Sequence, residues 1–176
     1  RPHVGNRVFR RALAYAIDRN KILTRDLLAG QVVAGSQIIS GPFSPGIGAD
    51  DPMAYAYDTK IEPRAYAPRH ARTLMQLAQI ELNNVARKAE EPPPELKELV
   101  LAFPPHEIAR IACDEIVADL KVLGLTCRLR RLSPGSYRPD DDDWDLLYLD
   151  YTLSEPLVEA TELLASNGLA ASPNPH

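Results

Sequence analysis

Thiols are scarce in this chain. Cys113 and Cys127 are the only cysteines among 176 residues, too few for a disulfide scaffold or a four-ligand zinc site without supporting histidines. Both read as buried apolar fillers. No apolar run approaches the roughly 20 residues that cross a bilayer, and Arg1-Pro2-His3 lacks the apolar core of a signal peptide, as would any chain cut from a larger precursor. Neither sign of charge dominates. Twenty basic against 24 acidic residues leave a formal net charge of -4, which gives a polyanion such as nucleic acid nothing to bind. Glycine is sparse beside proline, 9 against 16, so the connections should be long and partly stiff.

The familiar catalytic patterns are also missing. His106-Glu107-Ile108-Ala109-Arg110 has no second histidine at the fourth position, so the zinc-protease helix is absent. Gly41 and Gly46 are followed by Ile47-Gly48 rather than Lys-Ser/Thr, which excludes a phosphate loop. The run Asp140 to Asp143 lacks the alternating spacing, central glycine and closing glutamate of a calcium loop, and reads as a solvated hairpin tip. Histidines 3, 70, 106 and 176 lie mostly in terminal or loop sequence, and no Ser-His-Asp or Cys-His set stands out. No cofactor, metal or enzymatic activity is expected.

What is present is periodicity. Val8, Phe9, Ala12, Leu13, Ala16 and Ile17 recur at helical spacing, Asp18 offers an N-cap, and Ile22, Leu23, Leu27 and Leu28 lead to a stop at Gly30. From Gly30 to about Pro68 the periodicity fails, which predicts an extended, proline-pinned excursion. Pro68 then opens a helix whose stripe Ala71, Leu74, Met75, Ala78 and Leu82 runs to the polar Asn83-Asn84, with Pro92-Pro93-Pro94 as a stiff connector. Leu99 to Phe103 predicts a buried strand, and Ile108, Ile111, Ala112, Ile116, Leu120 and Leu123 a helix stopped by Gly124. Leu125, Cys127 and Leu129 alternate with Thr126, Arg128 and Arg130 as a second strand, so the three elements form a parallel crossover. Trp144 to Tyr151, apolar on both alternating faces, predicts a central strand, and a last helix is expected from Pro156 to Ala165. The length argues for one α/β domain.

This order of motifs resembles the C-terminal lobe of the extracellular solute-binding proteins that serve oligopeptide, dipeptide and nickel ABC importers. Phe9-Arg-Arg-Ala-Leu-Ala-Tyr-Ala-Ile-Asp-Arg19, continued by Ile22 and Gly30, is similar to the family's most distinctive motif. Tyr57-Asp58 ahead of a helix, Gly124-Leu125 after one, and the stretch Asp145 to Pro156 follow in the family's order. The resemblance implies a type II periplasmic-binding-protein-like lobe, with a mixed, mostly parallel sheet flanked by helices. It would cover residues 8–166, with residues 1–7 and 167–176 as flanking tails. It further implies a binder rather than an enzyme, in a periplasmic or cell-surface location, whose partners are a peptide or other small solute and an ABC permease. Membrane attachment would come only through an anchor outside these residues.

Within that frame Asp150 is the first candidate, placed at the carboxyl end of the proposed central strand, where open α/β sheets hold ligands and a carboxylate can pair with an ammonium group. The resemblance gives it the peptide's N-terminus; the bland alternative is a cap on the following turn. Tyr148 shares its face and could wall a ligand side chain or simply fill the core, while Tyr151 takes the opposite face. His106, in the strand-to-helix turn, is near where some oligopeptide binders place a contacting histidine; its alternative is a solvated loop residue. Two other readings stay open: a cytoplasmic transcription regulator carrying the same binding fold, and a degenerate lobe kept as a scaffold.

Overall fold

A computed structural model describes residues 2–43, 45–46, 50–52, 54–133, 143–152, 155 and 158. The chain divides into two compact units, residues 1–18 with 65–149 and residues 19–64 with 150–176. The helix expected from Pro156 to Ala165 lies, but for Val158, outside the described residues, as do Asp140 to Asp142.

The first unit holds helices α1 (Pro2–Gly5), α2 (Arg7–Ala16), α4 (Pro68–Lys88) and α5 (Glu107–Val122) and strands β1 (Leu99–Phe103), β2 (Cys127–Arg131) and β3 (Leu146–Leu147). Asn6 caps α2, its side chain accepting from the Phe9 amide at 2.9 Å. The helix buries Phe9, Ala12, Leu13 and Ala16, one stripe at the expected spacing. That stripe meets α4, where Ala71 and Ala78 are fully buried and their small size lets the backbones approach. Pro68 occupies the first turn of α4 as predicted, but the helix continues through Asn83-Asn84 to Lys88. Both asparagines are engaged by side chains, Gln79 donating to Asn83 and Arg87 to Asn84, so they do not compete for the helix backbone.

The strands form a parallel sheet in the order β2-β1-β3. All five residues of β1 are buried, as a parallel strand covered on both faces requires. Leu101 pairs with Leu129 on one side and Leu146 on the other. Among the described residues the central strand is β1, and of the strand expected from Trp144 to Tyr151 only Leu146–Leu147 is observed, as β3 beside β1. The Asp145 carboxylate takes the Val100 amide at 2.8 Å while its own amide donates to the Val100 carbonyl, which fixes where β3 begins.

Helix α5 is rotated from its predicted phase. Ala109, Ala112, Cys113 and Leu120 are buried, whereas Ile108 is exposed, because small side chains turned toward the sheet let the helix sit close to it. Its end is a Schellman motif: Gly124, at φ +81°, donates to Lys121, Leu125 donates to Leu120, and the Leu120 and Leu125 side chains share one cluster.

In the second unit, α3 (Arg19–Lys21) runs into a π-helical segment, Ile22–Leu27. Leu28 donates to Leu23 and Gly30 to Thr24, widened spacings that leave only Ile22 of the segment buried. The predicted stop at Gly30 is observed, at φ +78°. Beyond it come turns: Ser36 bonded to Val33, a 3-10 turn at Ala54–Ala56, and the Asp58 side chain accepting from the Lys60 amide. Gly46, at φ +82°, admits no side chain, since a Cβ there would lie 2.6 Å from that of Asp51. No helix among the described residues is long and apolar enough to cross a membrane.

Candidate functional site

Three parallel strands in one sheet end on the same rim, where open α/β sheets place their ligands. In the first unit that rim is built from the ends of β1, β2 and β3. Phe103 closes β1 and is paired in register with Arg131, the last residue of β2. Tyr148 follows β3 directly; its amide donates to the Ala102 carbonyl at 2.9 Å, and it packs against the cluster formed by Leu101, Phe103, Ala109 and Cys113. Pro104 and Pro105 end β1, and His106 caps α5, its Nδ1 accepting from the Ala109 amide at 3.2 Å.

The rim therefore gathers two of the four candidates. Tyr148 is half-buried and shares its hydrophobic cluster with Ala109, the residue whose amide His106 accepts. His106 is exposed but not an idle loop residue, since its ring satisfies a helix-terminal amide. Asp150 and Tyr151 belong to the second unit, Asp150 exposed and Tyr151 half-buried. The alternation that put Asp150 on the face of Tyr148 needs a strand running through residue 150, whereas β3 ends at Leu147. In that unit the Tyr55 hydroxyl donates to Glu155, in the same stretch of sequence.

Arg131 was missed by sequence reasoning. Three arginines stand on β2; Arg128 is ion-paired with Glu98 at 3.5 Å and Arg130 with Asp143 at 3.0 Å. Arg131, among the described residues, instead donates to the Pro105 carbonyl at 3.3 Å, across the turn that leads into α5. Its signal was the break in alternation at Arg130-Arg131, which sets consecutive cations on opposite faces.

The thiols offer no nucleophile. Cys113 is fully buried among Leu101, Phe103 and Ala109, as an apolar filler would be. Cys127 is half-buried, more open than expected, and burial pushes its thiol up to about 11, which keeps it protonated near neutral pH. An open groove of about 700 Å³ lies elsewhere, at the amino end of β1, between Pro2-His3-Val4 and Pro92 to Leu99. There His3 is buried and bonded to Gln79, which ties α1 to α4.

The arrangement resembles solved solute-binding proteins. The oligopeptide-binding protein AppA of Bacillus subtilis, solved with a nonapeptide, superposes with a TM-score of 0.66 at 14% identity over 100% of this chain and 33% of its own. The ABC transporter substrate-binding protein CtaP of Listeria monocytogenes gives 0.63 at 13%, over 96% and 30%. The periplasmic binding protein DppA of Helicobacter pylori, in complex with the peptide STSA, gives 0.52 at 16%, over 77% and 21%. At these identities the likeness shows a shared fold, and the chain spans a third or less of each protein's length. No curated protein sequence matches the chain. The family model of bacterial extracellular solute-binding proteins, family 5 Middle, matches residues 1–166, and the chain belongs to that family.

Proposed function

We propose that residues 8–166 are the C-terminal lobe of the substrate-binding component of an ABC importer, and that the intact, extracytoplasmic protein captures a peptide between two lobes for delivery to a permease. The observation that carries this reading is the rim, where three strand ends set an aromatic wall, Tyr148, beside the turn of His106 and the guanidinium of Arg131. Peptides are the ligands named for the AppA and DppA complexes, which supports the choice of solute. Asp150 is proposed to hold the ligand's ammonium group, with Tyr151 beside it in sequence.

Capture of this kind is differential affinity. A ligand that touches two lobes favours the closed state only through contacts that the open state lacks. One lobe alone should bind weakly or not at all. Calorimetric titration of the intact protein with a pool of short peptides should give saturable binding, and the same titration of this chain should give none. Equally tight binding by this chain would overturn the shared-cleft mechanism, and silence from the intact protein would overturn peptide capture itself.

A further inference from the structure

We infer that Tyr55 is a positioning residue for ligand capture: its hydroxyl, through Glu155, holds the stretch that presents Asp150 to the ligand's ammonium group. The inference rests on the reading that Asp150 meets that ammonium, and it names what keeps the carboxylate in place.

Asp150 lies beyond the end of β3 at Leu147, and no helix or strand is assigned among the described residues from 150 to 155. Without a sheet ladder there, a side-chain tether can decide where the carboxylate is held. Tyr55 supplies such a tether. Its hydroxyl donates to Oε1 of Glu155, 100 residues away in sequence but within the same compact unit as Asp150. The donor stands on a bonded base: Tyr55 is the middle residue of the 3-10 turn Ala54–Ala56, where the Ala54 amide donates to the Asp51 carbonyl at 3.0 Å and the Tyr57 amide to the Ala54 carbonyl at 3.1 Å. A tyrosine turns about only two side-chain torsions, so a fixed turn places its hydroxyl at small entropic cost. Burial does not account for the ring, since Tyr55 is 54% exposed. The bond does, and a carboxylate acceptor makes it charge-assisted.

An ammonium can come from a peptide's N-terminus or from a lysine side chain, and one experiment separates the two. The intact protein is dialysed to equilibrium against equimolar tetrapeptide libraries: neutral side chains with a free N-terminus, neutral side chains with an acetylated N-terminus, and acetylated with one lysine. The bound fractions are read by mass spectrometry. The wild type should favour the free amines if the N-terminus is the source, or the lysine peptides if a side chain is, and D150N should remove that preference. Loss of one hydrogen bond corresponds to roughly twofold to tenfold in affinity. Y55F should narrow the preference by about that factor, leave the neutral acetylated peptides bound as before, and speed amide exchange at residues 150–152. E155Q, which keeps an oxygen for the hydroxyl, should retain part of the preference. Y55F added to D150N should cost nothing further, because Tyr55 acts only through Asp150. An unchanged preference in Y55F, or an equal loss for all three libraries, overturns the inference and spares the Asp150 reading. A wild type without any preference for an ammonium, or one that D150N leaves intact, overturns both.

Discussion

Residues 99–132 and residues 19–64 are stretches that solve the backbone problem differently. In the first, β1, α5 and β2 pair with one another, and the joints are a histidine cap and a Schellman turn, so each element helps to terminate or align the next. The second is held by a π-helical turn, a 3-10 turn and side-chain-capped bends, with left-handed residues at Ala29, Gly30, Gly35 and Gly46. Val32 is 99% exposed there and Ile61 57%, while β1 has no exposed residue. A stretch whose backbone bonds are local and whose apolar groups face water opens at little cost; one that shares a core opens only with the core. The ends of β1 and β2 on the rim belong to the first kind, which suits the proposed site.

The largest blow to that contrast would come from Leu120, which is fully buried and joins α5 to both α2 and α4 through one cluster. Leu120→Ala should lose about 3 kcal/mol in urea denaturation, whereas Val32→Ala should stay within about 0.5 kcal/mol. Comparable losses would mean that the turn segment is packed more tightly than its exposure shows.

Asp119 tests how firmly the regular stretch holds the chain where it leaves the first unit. Its side chain is buried on α5 and accepts from the Asp18 amide at 2.8 Å, at the last residue before the second unit begins. Removing that acceptor in Asp119→Ala should cost about 2 kcal/mol and speed hydrogen exchange at Asp18. Asp119→Asn keeps an oxygen for the same amide and should lose less. Equal losses in the two variants would remove the bond from the explanation.

Sequence reading succeeded where the causes were local. The spacing in α2, the proline that opens α4, the apolar run of β1 and the glycine that ends α5 each act within a few residues, and each is where it was expected. It failed where a partner far along the chain decides. The phase of α5 depends on how near the sheet its alanines let it come, and the start of β3 on an Asp145 carboxylate that takes a backbone amide of β1. The π-helical turn leaves no mark in apolar spacing, since it changes which carbonyl is met and not which residues are apolar. On the rim Tyr148 and His106 were legible as candidates, but Arg131 was not, because only the register of β2 on β1 and the fold of the Pro104-Pro105 turn bring it there.

The smallest effect is the sharpest discriminator, because two glycines carry the same local strain in the two stretches. Gly124 and Gly30 sit at φ +81° and +78°, and a Cβ on either would meet nothing within 4 Å, so substitution by alanine tests the backbone alone. Left-handed backbone costs an L-residue about 1 kcal/mol, against which alanine recovers part by restricting the unfolded chain. Gly124 is clamped by two hydrogen bonds and the Leu120–Leu125 contact, so it cannot relax, and Gly124→Ala should lose about 1 kcal/mol. Gly30 follows an alanine already at φ +49° in an exposed turn, where small adjustments are open, and Gly30→Ala should shift the urea midpoint by less. Equal shifts in the two variants would show that the turn segment is held as rigidly as the crossover, and the difference in kind between the two stretches would then be one of appearance only.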